Sequence, residues 1–239
     1  MDSLLTLSAG EYSTVEIVLR LAVALTFMAS LLLVLSSACV ARSRRFPLIL
    51  SSVALGGAAW FENGVWQSWQ QAFELAGNSY AVTGQLLAPQ DRIIAWSLGV
   101  PTVLFCFGLA LLPGSKNRGV FVQLGVTLLL LALAAPLSHI AALVLLAYAA
   151  ALLLVGLSRH APEAGFVLEA RLSVGIIVAG ALFTSWAFWH PLQWGGGVSG
   201  ELVRGEIIHS AIDILSLVVP AILLLIVTFR LLNRSGSSE

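Results

Sequence analysis

Along the last long apolar stretch of the chain, Gly205 to Leu232, four residues recur at one-turn spacing: Glu206, His209, Asp213 and Leu217. Steps of three and four place them on one face of a helix. An ionisable side chain held in hydrocarbon costs about 2.5 to 3.5 kcal/mol on insertion scales, so a carboxylate such as Asp213 marks a functional position by default. Arg92, Trp96 and Gly99 form a second stripe of the same kind. A guanidinium and a carboxylate at similar depth should pair, because an unpaired buried charge is the costlier state. The spacing predicts an Arg92 to Asp213 contact with His209, His190 or Glu62 close by. Such a network has two readings, a device that fixes helix packing or a chemical site, and ion pairs of both kinds perturb titration.

These residues need helices to position them, and composition says which kind. The 239 residues are 59% hydrophobic and 10% charged, with a mean hydropathy of +0.96. Soluble domains carry roughly 25% charged residues. The chain is therefore read as an integral, all-α membrane protein. A helix crosses the bilayer core in about 20 apolar residues, and seven segments of that kind are expected: Val15 to Val40, Pro47 to Trp69, Arg92 to Leu112, Val120 to Pro136, His139 to Leu157, Leu172 to Pro191 and Gly205 to Leu232. They fill residues 1–239 as one transmembrane domain. Runs such as Leu128 to Ala135 have no polar face, which excludes a soluble helical core, and no alternation, which excludes a membrane β-barrel.

Threading seven segments alternately puts Arg42, Arg44, Arg45, Lys116, Arg118, Arg159, Arg171, Arg230 and Arg234 on one side. The positive-inside rule then sets the N-terminus outside and the C-terminus in the cytoplasm. No basic leader precedes a cleavage site, so the first segment is expected to be retained. Net charge of zero offers no patch for nucleic acid. Gly77 to Gly84 brackets a β-like tetrad with turn residues, predicting a small hairpin, and Gly195 to Gly197 reads as a flexible loop. On this threading Arg92, Glu206, His209, Asp213, Glu62 and His190 share the outer half of the membrane. Below them, around Cys106 and Leu223 to Leu225, no carboxylate, histidine or lysine follows. A proton relay needs titratable groups or water along its whole path, and this chain supplies half of one.

Arg92-Ile-Ile-Ala-Trp96 followed by Pro101 resembles the third helix of microbial (type 1) rhodopsins, whose pattern is Arg-x-x-Asp-Trp with a proline shortly after. Gly57 to Glu62 and Tyr80 to Gly84 are similar to the second helix and following loop of the proteorhodopsin and xanthorhodopsin group. Asp213 to Leu217 is similar to that family's Asp-x-x-x-Lys. Segment six keeps Pro191 and Trp194 at the family spacing, with His190 where tyrosine is usual and Trp186 one position out of register, as a bulge would cause. The resemblance implies a seven-helix bundle whose retinal-pocket-like positions are Trp96, Gly99, Pro101, Trp186, Trp189, His190, Pro191, Trp194, Asp213 and Leu217.

The departures from the family fall on its chemistry. Leu217 stands at the position of the retinal-linking lysine and cannot form a Schiff base; Lys116, the one lysine of the chain, lies in a loop. Ala95 stands at the primary proton acceptor and Cys106 at the cytoplasmic proton donor. Phe61 or Glu62, depending on register, replaces the acceptor's histidine partner. Without a cationic Schiff base an acceptor at 95 would be an uncompensated buried charge, so these losses are consistent with one another. The resemblance thus implies a rhodopsin-like membrane protein that is not a light-driven pump and has no covalent cofactor. The expected role is accessory, regulatory or sensory, in the lipid bilayer of a bacterial inner membrane, as a homo-oligomer or paired with a true rhodopsin. The alternative is a noncovalent retinal or carotenoid binder using Trp96, Trp186, Trp189 and Trp194, although tryptophans near helix ends are also ordinary interfacial residues. An enzyme built on His190, His209 and Glu62 lacks any metal-ligand spacing, so no catalytic residue and no metal are expected.

Overall fold

The computed structural model describes residues 6–40, 42–85, 87, 89–111, 118–134, 139–160, 168, 171–176, 178–179 and 197–235. Five long helices come first: α1 (Ala9–Ala38), α2 (Arg42–Ala72), α3 (Pro89–Leu111), α4 (Arg118–Ala134) and α5 (His139–His160). Two further helices, α6 (Gly197–Asp213) and α7 (Val219–Ser235), are joined by a π-helical turn, Ile214–Val218. Among the described residues, four helical stretches are long and apolar enough to cross a membrane: Ala9–Ala38, Arg45–Ala72, Gln90–Ala110 and Gly200–Arg230.

Most helices outrun their apolar cores. The first begins at Ala9 rather than Val15, because Ser8 and Glu11 close a capping box. The Ser8 amide donates to the Glu11 carboxylate at 2.9 Å and the Glu11 amide to the Ser8 hydroxyl at 3.2 Å, which satisfies two otherwise free donors. The second starts at Arg42, five residues before Pro47, and runs three residues past Trp69. Pro89 opens α3, where its missing N–H is no loss. Gly197, expected in a flexible loop, is instead the first residue of α6. Of the expected sixth segment, residues 180–191 lie outside the described residues, and with them Trp186, Trp189, His190 and Pro191; Trp194 just beyond it lies outside them too.

The expected hairpin is present, and it has a third strand that was not expected. β2 (Phe73–Ala76) and β3 (Ser79–Val82) pair antiparallel from Phe73 with Val82 to Ala76 with Ser79, and β1 (Thr6–Ser8) pairs with the other edge of β3. The two-residue turn works because Gly77 takes φ +67 while Asn78 does not take positive φ, the pattern of a type II′ turn. Aromatic rings fasten the sheet to the helix ends: Tyr12 stacks on Tyr80 with centroids 3.8 Å apart and planes 4° apart, and Trp69 lies against Phe73 at 4.7 Å.

Packing between the helices inverts the soluble pattern. Outward-facing residues of α1 include Ile17, Phe27, Met28, Leu32 and Leu35, whereas its buried face carries Ala22, Thr26, Ala29, Ser30 and Ser37 among larger residues. Small and weakly polar residues let helix backbones approach where the surroundings are as apolar as leucine. Ser30 and Ser52 hold α1 to α2 reciprocally, each hydroxyl donating to the other's carbonyl at 2.8 Å. One core cluster sits at the sheet end around Tyr12, Trp69 and Phe73. A larger one, around Leu55, Leu104, Phe107 and Leu217, fills the bundle.

Candidate functional site

Arg92, one turn inside α3, reaches across to the last helical stretch. Its Nε donates to Asp213 Oδ2 at 2.8 Å, and one terminal nitrogen donates to Glu206 Oε2 at 3.0 Å and to Ser210 Oγ at 3.5 Å. Trp96, one turn further along α3, donates its indole Nε1 to Asp213 Oδ1 at 3.0 Å. Both oxygens of Asp213, whose side chain is 5% exposed, are therefore satisfied. That is the condition under which a buried carboxylate is tolerated. The Arg92 to Asp213 pairing expected from spacing is present. Glu206 is the second acceptor of the guanidinium, and Ser210, three residues before Asp213, belongs to the same face; it was missed, although its position on the stripe was enough to find it.

One helical turn deeper the site is apolar. A Cβ built on Gly99 would collide with Leu217 Cδ2 and lie 3.8 Å from the Ala58 Cβ, so the leucine side chain rests directly on the glycine. Leu217 is fully buried in the main core, with Ala95 and Cys106 in the same cluster. The Cys106 thiol faces Ser51 of α2. Pro101 is buried and cannot return an N–H to the Ser97 carbonyl. The π-helical turn holds Leu217 at its fourth position, and two residues beyond its end comes Pro220, which likewise has no N–H for the carbonyl of Ser216. The backbone is therefore loosened where the buried leucine enters the bundle.

Glu62 sits on the face of α2 that carries Ala58, one turn nearer the sheet. It is 4% exposed, and neither carboxylate oxygen has a hydrogen-bond partner among the described residues. Thr26 of α1 faces it, and Asp213 and Arg92 lie within electrostatic reach. His209 lies within reach of Arg92 and Glu206, but its Nδ1 has no partner among the described residues. His190, the other histidine expected nearby, lies outside them. Among the described residues no group of histidine, cysteine and carboxylate side chains is arranged to hold a metal ion. The arrangement orders charge and fixes α3 against the last helical stretch. Among the described residues it contains no paired nucleophile and base.

No family model and no curated protein matches the sequence. Solved structures do match the fold. Xanthorhodopsin, described as a light-driven ion pump with dual chromophore, superposes with a TM-score of 0.85 at 19% identity, covering 98% of this chain and 99% of its own. A thermophilic rhodopsin gives 0.80 at 21% identity with coverages of 98% and 99%. A blue light-absorbing proteorhodopsin from Med12 gives 0.58 at 14% identity over 91% and 98%. The protein has the microbial-rhodopsin fold, and its apolar helices are those of a multi-pass membrane protein.

Proposed function

We propose that this is a rhodopsin-like membrane protein which links no retinal covalently, drives no light-powered ion transport, and acts as an accessory, regulatory or sensory component, assembled with itself or with a true rhodopsin. Seven spans in one domain, an outer N-terminus, a cytoplasmic C-terminus and a bacterial inner membrane belong to the same reading. The observation that carries it is Leu217: fully buried, one turn beyond Asp213, and resting on Gly99.

A retinal bound as in the fold's pumping relatives would need an amine on this helix, aimed into the bundle. Leucine supplies none, and Lys116 stands just before α4 in sequence, far from Asp213 along the chain. The residues that are present do not fit a covalent retinal. Ala95 removes the acceptor that the family resemblance places there. Arg92, Trp96 and Asp213 remain as a brace between helices.

The test is expression with all-trans retinal, recording the visible spectrum before and after hydroxylamine. No bleachable pigment is expected, and a true rhodopsin produced in the same cells should co-purify. A stable, hydroxylamine-sensitive pigment in the unaltered protein would overturn the reading.

Noncovalent binding of retinal or a carotenoid is the second reading. It is favoured by the superposition on a dual-chromophore pump. It is opposed by the leucine that takes up space over Gly99. Titration with retinal separates the two, since a bound polyene quenches tryptophan fluorescence and shifts its own absorption.

A further inference from the structure

Charge in the described interior does not close. Arg92 contributes one positive charge, already shared between Asp213 and Glu206. Glu62 is a third carboxylate within reach of the same guanidinium; it makes no close hydrogen bond among the described residues, and the polar side chain beside it is the Thr26 hydroxyl. An ionised carboxylate without compensation in a low-dielectric interior is among the most costly arrangements a fold can hold. The groups that face it are Thr26 from α1, Arg92 from α3 and Asp213 from the last helical stretch. Thr26 is itself fully buried, and its hydroxyl has no hydrogen-bond partner among the described residues. Two polar side chains from adjacent helices, each other's polar neighbour and neither closely bonded to a third group among the described residues, thus face each other, 4% and 0% exposed.

We propose that Glu62 and Thr26 form an interior binding site for one monovalent cation, either a proton carried on the Glu62 carboxyl or a sodium ion held between carboxylate and hydroxyl. Binding breaks no covalent bond and moves no electron; it supplies a positive charge beside Glu62, whose nearest guanidinium is already shared between Asp213 and Glu206. The hydroxyl suits both occupants. It accepts a hydrogen bond from a carboxylic acid, or turns its lone pairs to a hard cation. The site does not depend on the role proposed above and would exist whether or not any pigment or partner binds.

Infrared spectroscopy and thermal denaturation of the full chain in lipid nanodiscs test the proposal. Bound proton predicts a carboxylic acid C=O band at neutral pH that is lost in Glu62→Gln, together with a melting temperature that falls on alkalinisation in the native protein and not in the variant. Bound sodium predicts no acid band but a melting temperature raised by sodium chloride and not by choline chloride at equal ionic strength, again lost in Glu62→Gln. Thr26→Val, which keeps volume and removes the hydroxyl, should shift the acid band to higher frequency or weaken the sodium response several-fold, and so tests the site if the amide variant folds poorly. An ionised Glu62 with no sodium response would overturn the proposal, as would an acid band or sodium response unchanged in both variants.

Discussion

At the scale of single residues, the stability of the site rests on Asp213 having both oxygens occupied and Arg92 dividing its donors between two carboxylates. Removing one member of a buried pair is worse than removing both, because the survivor keeps its desolvation cost without its partner. Asp213→Leu should therefore cost about 3 to 5 kcal/mol. Adding Arg92→Met should recover a large part of that loss, since Glu206, with a side chain 16% exposed, can turn to water. Thermal denaturation across the four proteins of this double-mutant cycle checks the sign. Losses that simply add would mean that the guanidinium and the carboxylate are not coupled.

At the scale of elements, what sequence revealed and what it hid divide along physical lines. Apolar run length exposed the helices that the described residues form, because hydrocarbon thickness dictates it, and the stripes Arg92, Trp96, Gly99 and Glu206, His209, Asp213, Leu217 exposed the facing sides of α3 and the last stretch. Helix starts were misplaced where backbone hydrogen bonding set them, as at the Ser8 and Glu11 capping box. β1 was invisible because three residues carry no period, and the π turn because hydropathy does not register one extra residue per turn. Thr26, Ser30 and Ser52 look the same in sequence whether they face lipid or a neighbouring helix. The Gly99 and Leu217 contact gives this scale its prediction. Gly99→Ala should cost about 1 to 3 kcal/mol by overpacking, and Leu217→Ala about 2 to 5 kcal/mol by leaving a cavity. Together they should cost clearly less than the sum, since the new methyl group occupies space the leucine vacated. Strict additivity in thermal unfolding would show that the two helices do not meet there.

For the whole molecule, the sheet and the basic residues define its two ends. The capped start of α1 adjoins β1, and 30 residues at a rise of about 1.5 Å carry the chain roughly 45 Å to the other end. There Cys39 caps the helix, exposed and three residues before Arg42. Cys106 is fully buried in the main core. Two free thiols thus report different things, one the sidedness of the fold and the other its integrity. If the basic end is cytoplasmic, as the distribution of arginines implies, a membrane-impermeant maleimide should modify Cys39 in inside-out vesicles and leave it unmodified in intact cells. Cys106 should react from neither side until the protein is denatured. The comparison needs only mass measurement of the labelled chain with Cys39→Ser as control. Labelling of Cys39 from outside would invert the orientation and put Arg92, Asp213 and Glu62 in the cytoplasmic half of the membrane. The interior cation would then exchange with the cytoplasm, and a sensory reading would have to begin from that side.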